Sequence, residues 1–176
     1  DWSSDVCSSD LAQAYVKEGA RVVVADINGS AAQRVASSLG ANASAFTCDV
    51  SQASQVQALV AHCVSQLGVP DIVVNNAGTT HKNRPMLEVD EAMFDKIFSV
   101  NVKSIFHMTH AVVPLMRKQG RGVILNIGSV AGIRPRPGLS WYNASKGAVN
   151  VDRKSTRLNS SHMSESRMPS SALKKK

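Results

Sequence analysis

Four short apolar runs, set between stretches of helical period, constrain this chain more than any other feature. Arg21–Asp26 carries Val22, Val23, Val24 and Ala25 in succession, and Gly122–Ile127 carries Val123, Ile124 and Ile127. Such runs lack the alternation of a half-exposed strand, so they fit strands covered on both faces, as in a parallel sheet flanked by helices. Ala43–Val50 and Asp71–Gly78 supply two more strands. Between them, Ser30–Leu39 places Ala31, Ala32, Val35, Ala36 and Leu39 on one helical face. Gln52–Leu67 does the same with Val56, Leu59, Val60, Cys63, Val64 and Leu67, and a glycine closes each helix. Ala12–Gly19 reads as the end of an earlier helix. Asp90 caps a helix holding Met93, Phe94, Ile97 and Phe98, and a longer apolar helix follows from Val102 through Met116, with Pro114 placed to kink its last turn. The pattern predicts an α/β fold built on a doubly wound parallel sheet.

The 176 residues, 43% of them hydrophobic, suffice for one domain with a core. No apolar run approaches the roughly 20 residues that span a bilayer, and no signal peptide opens the chain, which predicts a soluble protein. Three cysteines with neither metal spacing nor a full disulfide set fit a reducing cytoplasm. The formal charge of +7 raises the question of a nucleic-acid partner. Seven of the 20 Lys and Arg lie in residues 152–176, while five of the 13 acids lie there or in residues 1–11, so residues 12–151 carry +5. Both ends lack any helical or strand period. One choice of codons for residues 1–11 also has a reverse complement that translates as Asp152–Ser161. Unrelated termini have no reason to be encoded by opposite strands of one DNA. The ends are therefore expected to be non-native and similar to a sequencing-library adapter, flanking residues 12–151 as a piece of a longer domain. On that reading the basic tail is no nucleic-acid site.

The chemistry concentrates in Ser129–Lys146. Tyr142 and Lys146 are four apart, so on a helix they project from one face, one turn apart. An ammonium beside a phenol favours the phenolate and draws the phenol pKa down from about 10, which a proton-transfer group needs. Ser129 lies just past the apolar run ending at Ile127, and in open α/β sheets the ligand crevice is outside the carboxyl ends of the strands. A loop leaving Ser129 and returning at Tyr142 brings the two hydroxyls together there. Taken alone, Y-x-x-x-K is equally an ordinary helical pair and Ser129 a turn residue.

Strand, serine, loop, tyrosine and lysine in this order resemble the short-chain dehydrogenase/reductase family, as do Asn75-Asn76-Ala77-Gly78 after an apolar strand, Asn101 in Ser-Val-Asn-Val, and an acid, Asp26, closing a strand. The resemblance covers residues 12–151 and implies a Rossmann-like sheet and a nicotinamide cofactor. It implies that Tyr142 moves the hydroxyl proton while Lys146 lowers the tyrosine pKa and grips the nicotinamide ribose. Ser129 polarises the carbonyl and Asn101 holds a proton-relay water; Asn101 equally fits a structural role satisfying backbone groups at a helix kink, and the two roles are compatible. Asp26 accepts hydrogen bonds from the adenosine ribose, or merely opens the turn that follows. Asp49 and Val50 lie beside the adenine, or else Asp49 or Ser51 caps the next helix. Asn76, Ala77 and Gly78 approach the cofactor with little bulk, and paired asparagines tie neighbouring strands.

The implied function is interconversion of a secondary alcohol and a ketone by a cytoplasmic homo-oligomer, dimer or tetramer, without metal. NAD is favoured over NADP because Asp26 would repel a 2′-phosphate. The alternatives are an NADP-dependent 3-oxoacyl thioester reductase of the same family and a non-catalytic nucleotide-binding module, against which intact Ser129, Tyr142 and Lys146 argue. His81, in a polar loop, and His62 are expected at solvent. His107 and His110 lack the further ligands zinc needs. Arg134 and Arg136, in the expected substrate-facing loop Ile133–Ser140, either meet an anionic substrate or are solvated. The family's opening strand with its T-G-x-x-x-G-x-G loop is absent, and so are its closing strands. In a sheet of order 3-2-1-4-5-6 the first strand is central, so its lack is expected to part the strands on either side, expose their edges, and leave the chain prone to aggregation or partial unfolding.

Overall fold

A computed structural model describes residues 4–155, and the side chains of residues 9–151. Helices and strands alternate as α1 (Ser4–Lys17), β1 (Val22–Asp26), α2 (Gly29–Leu39), β2 (Ala43–Thr47), α3 (Ala53–Leu67), β3 (Ile72–Asn75), α4 (Glu91–Phe98), α5 (Ser104–Gln119), β4 (Val123–Asn126) and α6 (Ser140–Ser155). Every strand falls within one of the apolar runs. β1 and β2 pair in parallel from Val22 opposite Ala43 to Asp26 opposite Thr47, and β3 and β4 from Ile72 opposite Val123 to Asn75 opposite Asn126. The two pairs are separate two-stranded sheets, with no ladder between β1 and β3.

What joins them is a shared helical layer. Val56, Leu59 and Val60 of α3 and Met108, Val112 and Met116 of α5 form a core on which Val23, Phe46, Val73 and Ile124 pack, one residue from each strand. Because side chains alternate along a strand, the intervening residues point the other way. On β1 and β2 these are Val22, Val24, Ala43 and Ala45, which meet Ala12 of α1 and Ala32 and Ala36 of α2. On β3 and β4 they include Ile72 at 47% exposed, Val123 at 57% and Leu125 at 42%. The expectation of strands covered on both faces therefore holds for β1–β2 and fails for β3–β4, whose second face has no complete helical layer over it.

Other boundaries differ locally. Residues 4–11, expected to lack helical structure, form the first turns of α1, and α6 runs past Val151 to Ser155. Helix extension from a packed segment needs no apolar stripe of its own, since each added residue gains a hydrogen bond on an existing ladder. Residues 1–3 and 156–176 of the expected non-native ends lie outside the described residues. β2 stops at Thr47, short of Val50. The Cys48 N–H still donates to the Asp26 carbonyl at 2.9 Å, but Asp49 turns the chain by accepting from the Ser51 N–H at 2.9 Å and its hydroxyl at 2.7 Å. Asp90 caps α4 as expected, accepting from the Met93 N–H at 2.8 Å. α4 and α5 are not parted by a loop: a π-helical turn, Ser99–Lys103, connects them. No helix among the described residues is long and apolar enough to cross a membrane.

Candidate active site

The π turn sets Asn101 at the centre of the site. Single π turns insert an extra residue into the helical ladder and redirect the side chains there. Asn101, 2% exposed, donates from Nδ2 to the Thr79 carbonyl and to the Ser145 hydroxyl, each at 2.9 Å, and accepts from the Thr79 N–H at 2.7 Å. One amide thereby clamps the segment after β3 to the start of α6. This is the backbone-satisfying arrangement weighed in the sequence.

Lys146 is buried beside it. Its ammonium donates to the Ile127 carbonyl at 2.9 Å, just past β4, and burial pushes its pKa below the ordinary 10.5. A β carbon placed on Gly78 would sit 3.5 Å from both Asn101 Oδ1 and Lys146 Nζ. Gly78, Asn101 and Lys146, from three elements far apart in sequence, meet at one point. Tyr142 lies one turn ahead of Lys146 on α6, half-buried, and its carbonyl accepts from the Ser145 hydroxyl at 2.8 Å.

Ser129 is bound to the same helix one turn further along. Its hydroxyl caps a short 3₁₀ turn, Val130–Gly132, by accepting from the Ala131 N–H at 3.1 Å. Its carbonyl accepts from Asn150 Nδ2 at 2.9 Å. Gly132 closes the contact: a β carbon there would lie 2.5 Å from the Lys146 carbonyl carbon and 2.6 Å from its oxygen. Backbone cannot yield as a flexible side chain would. Gly132→Ala is therefore expected to push α6 off the 3₁₀ turn and cut kcat more than tenfold in the full-length protein, an order-of-magnitude figure for a misplaced catalytic group. Wild-type kinetics from that variant would show the packing to be loose.

The other expected residues form a second cluster at the ends of β1 and β2. Asp26 Oδ1 accepts from the Asn28 N–H at 2.8 Å, so its carboxylate does open the turn into α2. Asp49 lies nearby through the Cys48-to-Asp26 hydrogen bond, and Val50 packs partly buried on the core. Asn75 Nδ2 donates to Asn126 Oδ1 at 2.8 Å, tying β3 to β4, and Asn76, Ala77 and Gly78 follow directly. Asp26 and Asp49 thus belong to one strand pair, while Gly78, Asn101, Ser129, Tyr142 and Lys146 gather at the other.

Two histidines depart from expectation. His81 is 4% exposed rather than solvated, and His62 is half-buried with its ring 5.0 Å from Phe46. His107 and His110 flank the exposed Phe106, whose ring centre is 4.2 Å from that of His110. Arg134 and Arg136 are exposed, and the ion pair among the described residues is Arg121 with Asp71. Thr79, Gly132, Ser145 and Asn150 hold the site together without having been singled out in the sequence. Ser145, between Tyr142 and Lys146, was the most accessible of these, since its position on α6 puts it on the side of the helix next to Lys146.

The chain is similar over most of its length to known proteins. A family model described as short chain dehydrogenase matches residues 8–162. 4-Formylbenzenesulfonate dehydrogenase of Comamonas testosteroni is 44% identical over 79% of this chain and 56% of its own length. Sorbitol dehydrogenase of Cereibacter sphaeroides is 38% identical over 85% of this chain and 58% of its length. A 3-ketoacyl-(acyl-carrier-protein) reductase from Brucella melitensis, solved with NADH, superposes with a TM-score of 0.82 at 39% identity, covering 84% of this chain and 63% of that one. The chain belongs to the short-chain dehydrogenase family. It spans somewhat over half the length of these curated relatives.

Proposed function

We propose that the full-length protein interconverts a secondary alcohol and a ketone, using NAD(H). The observation that carries this reading is the meeting of Gly78, Asn101 and Lys146 within contact distance, with Tyr142 one turn ahead on the same helix as Lys146. Tyr142 gives or takes the hydroxyl proton. Lys146 favours the phenolate and, through its ammonium, holds the nicotinamide ribose. Ser129 polarises the carbonyl oxygen.

The residues present fit the adenosine and nicotinamide ends of a dinucleotide. Asn76, Ala77 and Gly78 keep bulk away from the end of β3, and a side chain at Gly78 would fill the space beside Lys146 Nζ. Asp26 would take the adenosine ribose, with Asp49 and Val50 beside the adenine. The cofactor, when bound, supplies or accepts the hydride; the protein supplies placement and electrostatics. A cytoplasmic homo-oligomer acting on a small molecule, without metal, is the form proposed.

The test is oxidation of a panel of secondary alcohols by the full-length protein, read by NADH absorbance. Turnover with NAD+ is expected, and none with any alcohol or ketone defeats the reading. Cofactor choice is tested separately: Asp26→Ser should raise kcat/KM for NADPH on the order of tenfold by removing repulsion of the 2′-phosphate. An unchanged NADH-to-NADPH ratio would show that Asp26 serves only its turn. A second reading is an NADP-dependent 3-oxoacyl thioester reductase, favoured by the likeness to the Brucella melitensis reductase. Preference for NADPH and a 3-oxoacyl thioester would select it.

A further inference from the structure

The segment between Thr79 and Arg84 is anchored at both ends to the site. At one end both backbone groups of Thr79 bind the Asn101 side chain. At the other, the Arg84 N–H donates to the Gly138 carbonyl at 3.2 Å, and a β carbon on Gly138 would lie 3.3 Å from Asn83 Cβ. Gly138 precedes Tyr142 by one helical turn's worth of chain. The loop leading into α6 is secured in turn by Asn143, whose side chain donates to the Arg136 carbonyl at 2.8 Å and accepts from its N–H at 3.3 Å. His81 sits in the middle of this bracket.

Its ring is committed on one side only. Nδ1 lies 2.7 Å from the Lys82 carbonyl. A carbonyl only accepts, so Nδ1 carries the proton, and in the neutral ring Nε2 is an acceptor. Nε2 is buried and has no partner among the described residues. Leaving a buried acceptor unmatched costs about 1–3 kcal/mol, so such groups are ordinarily met by a donor.

We propose that His81 Nε2 is a substrate-binding acceptor, taking a hydrogen bond from a second hydroxyl on the substrate, away from the reacting carbon. This rests on the proposed oxidoreductase reading and narrows its substrate class to hydroxylated ketones and diols. A site that accepts from a substrate hydroxyl discriminates against the analogue lacking it, because its own buried acceptor is then left unmatched.

The experiment compares 4-hydroxycyclohexanone, cyclohexanone and 4-oxocyclohexanecarboxylate as substrates of the full-length protein with NADH. Wild type is expected to favour the hydroxy ketone in kcat/KM by on the order of tenfold. His81→Phe, which fills the space without an acceptor, should bring that ratio near unity. His81→Gln, which keeps an acceptor, should restore part of it. Calorimetry of cyclohexane-1,4-diol against cyclohexanol on the NAD+-loaded protein reads the same preference without turnover. A ratio untouched by His81→Phe, or equal losses on both ketones, overturns the proposal. So does a preference for the carboxylate, which would make His81 a donor. Turnover of cyclohexanone itself reports on the oxidoreductase reading, so the two ideas fail by different results.

Discussion

Replacing Tyr142 by Phe in the full-length protein is expected to lower kcat by about 10²–10⁴, the usual contribution of a positioned acid or base, while NADH still binds. The substitution removes one oxygen and leaves the half-buried ring. It also leaves the Tyr142 carbonyl free to accept from Ser145, so the opening of α6 is unchanged. The pH dependence supplies an independent readout. Lys146 favours the phenolate only while it is an ammonium, and burial lowers its pKa below 10.5. Alcohol oxidation should therefore fall on an alkaline limb that begins below pH 10.5. Proton loss from Lys146 is the cause of that fall. Full turnover by Tyr142→Phe would remove the tyrosine from the chemistry, and a rate still flat above pH 10.5 would remove the lysine.

Asn101→Leu is expected to be the most destabilising single change in the site. It is close in shape, yet it strips the partner from both the Thr79 N–H and the Thr79 carbonyl, and leaves the Ser145 hydroxyl only its bond to the Tyr142 carbonyl. Each orphaned backbone group costs about 1 kcal/mol or more, so the two sum to roughly 2 kcal/mol. For a domain of this size that corresponds to a fall in Tm of about 4–8 °C. Asn101→Asp should fare little better, because its second oxygen would face the Thr79 carbonyl, acceptor against acceptor. Both variants should also lose activity, since the clamp is what holds Gly78 against Lys146. A melting temperature equal to wild type would show that these three groups find other partners, and the π turn would then need another explanation.

The site was readable where chemistry follows spacing within one element. Tyr142 and Lys146 share a helical face because the α-helix has its own period, whatever surrounds it. The end of β3 was readable for a similar reason: an apolar run giving way to Asn-Ala-Gly marks where a buried strand stops. Asn101 shows where such reading ends. The partners of its amide, Thr79 and Ser145, lie 22 residues before it and 44 after it, where no spacing in the sequence points. His81 shows the same limit from the other side. A histidine among Lys, Asn and Arg reads as solvated, and it is buried because the Arg84-to-Gly138 hydrogen bond folds that loop against another.

The sequence by itself determined the four strands, the helices that separate them and the helical face that Tyr142 and Lys146 share, since hydrophobic period and helical pitch are local properties. Only the tertiary structure decided that α1 starts at Ser4, that one face of β3–β4 stays half open, and that Asn101 and Gly132 hold the site together. Those outcomes depend on which atoms from distant segments come within contact distance, and a free energy of that kind belongs to pairs of residues whose separation along the chain carries no signal.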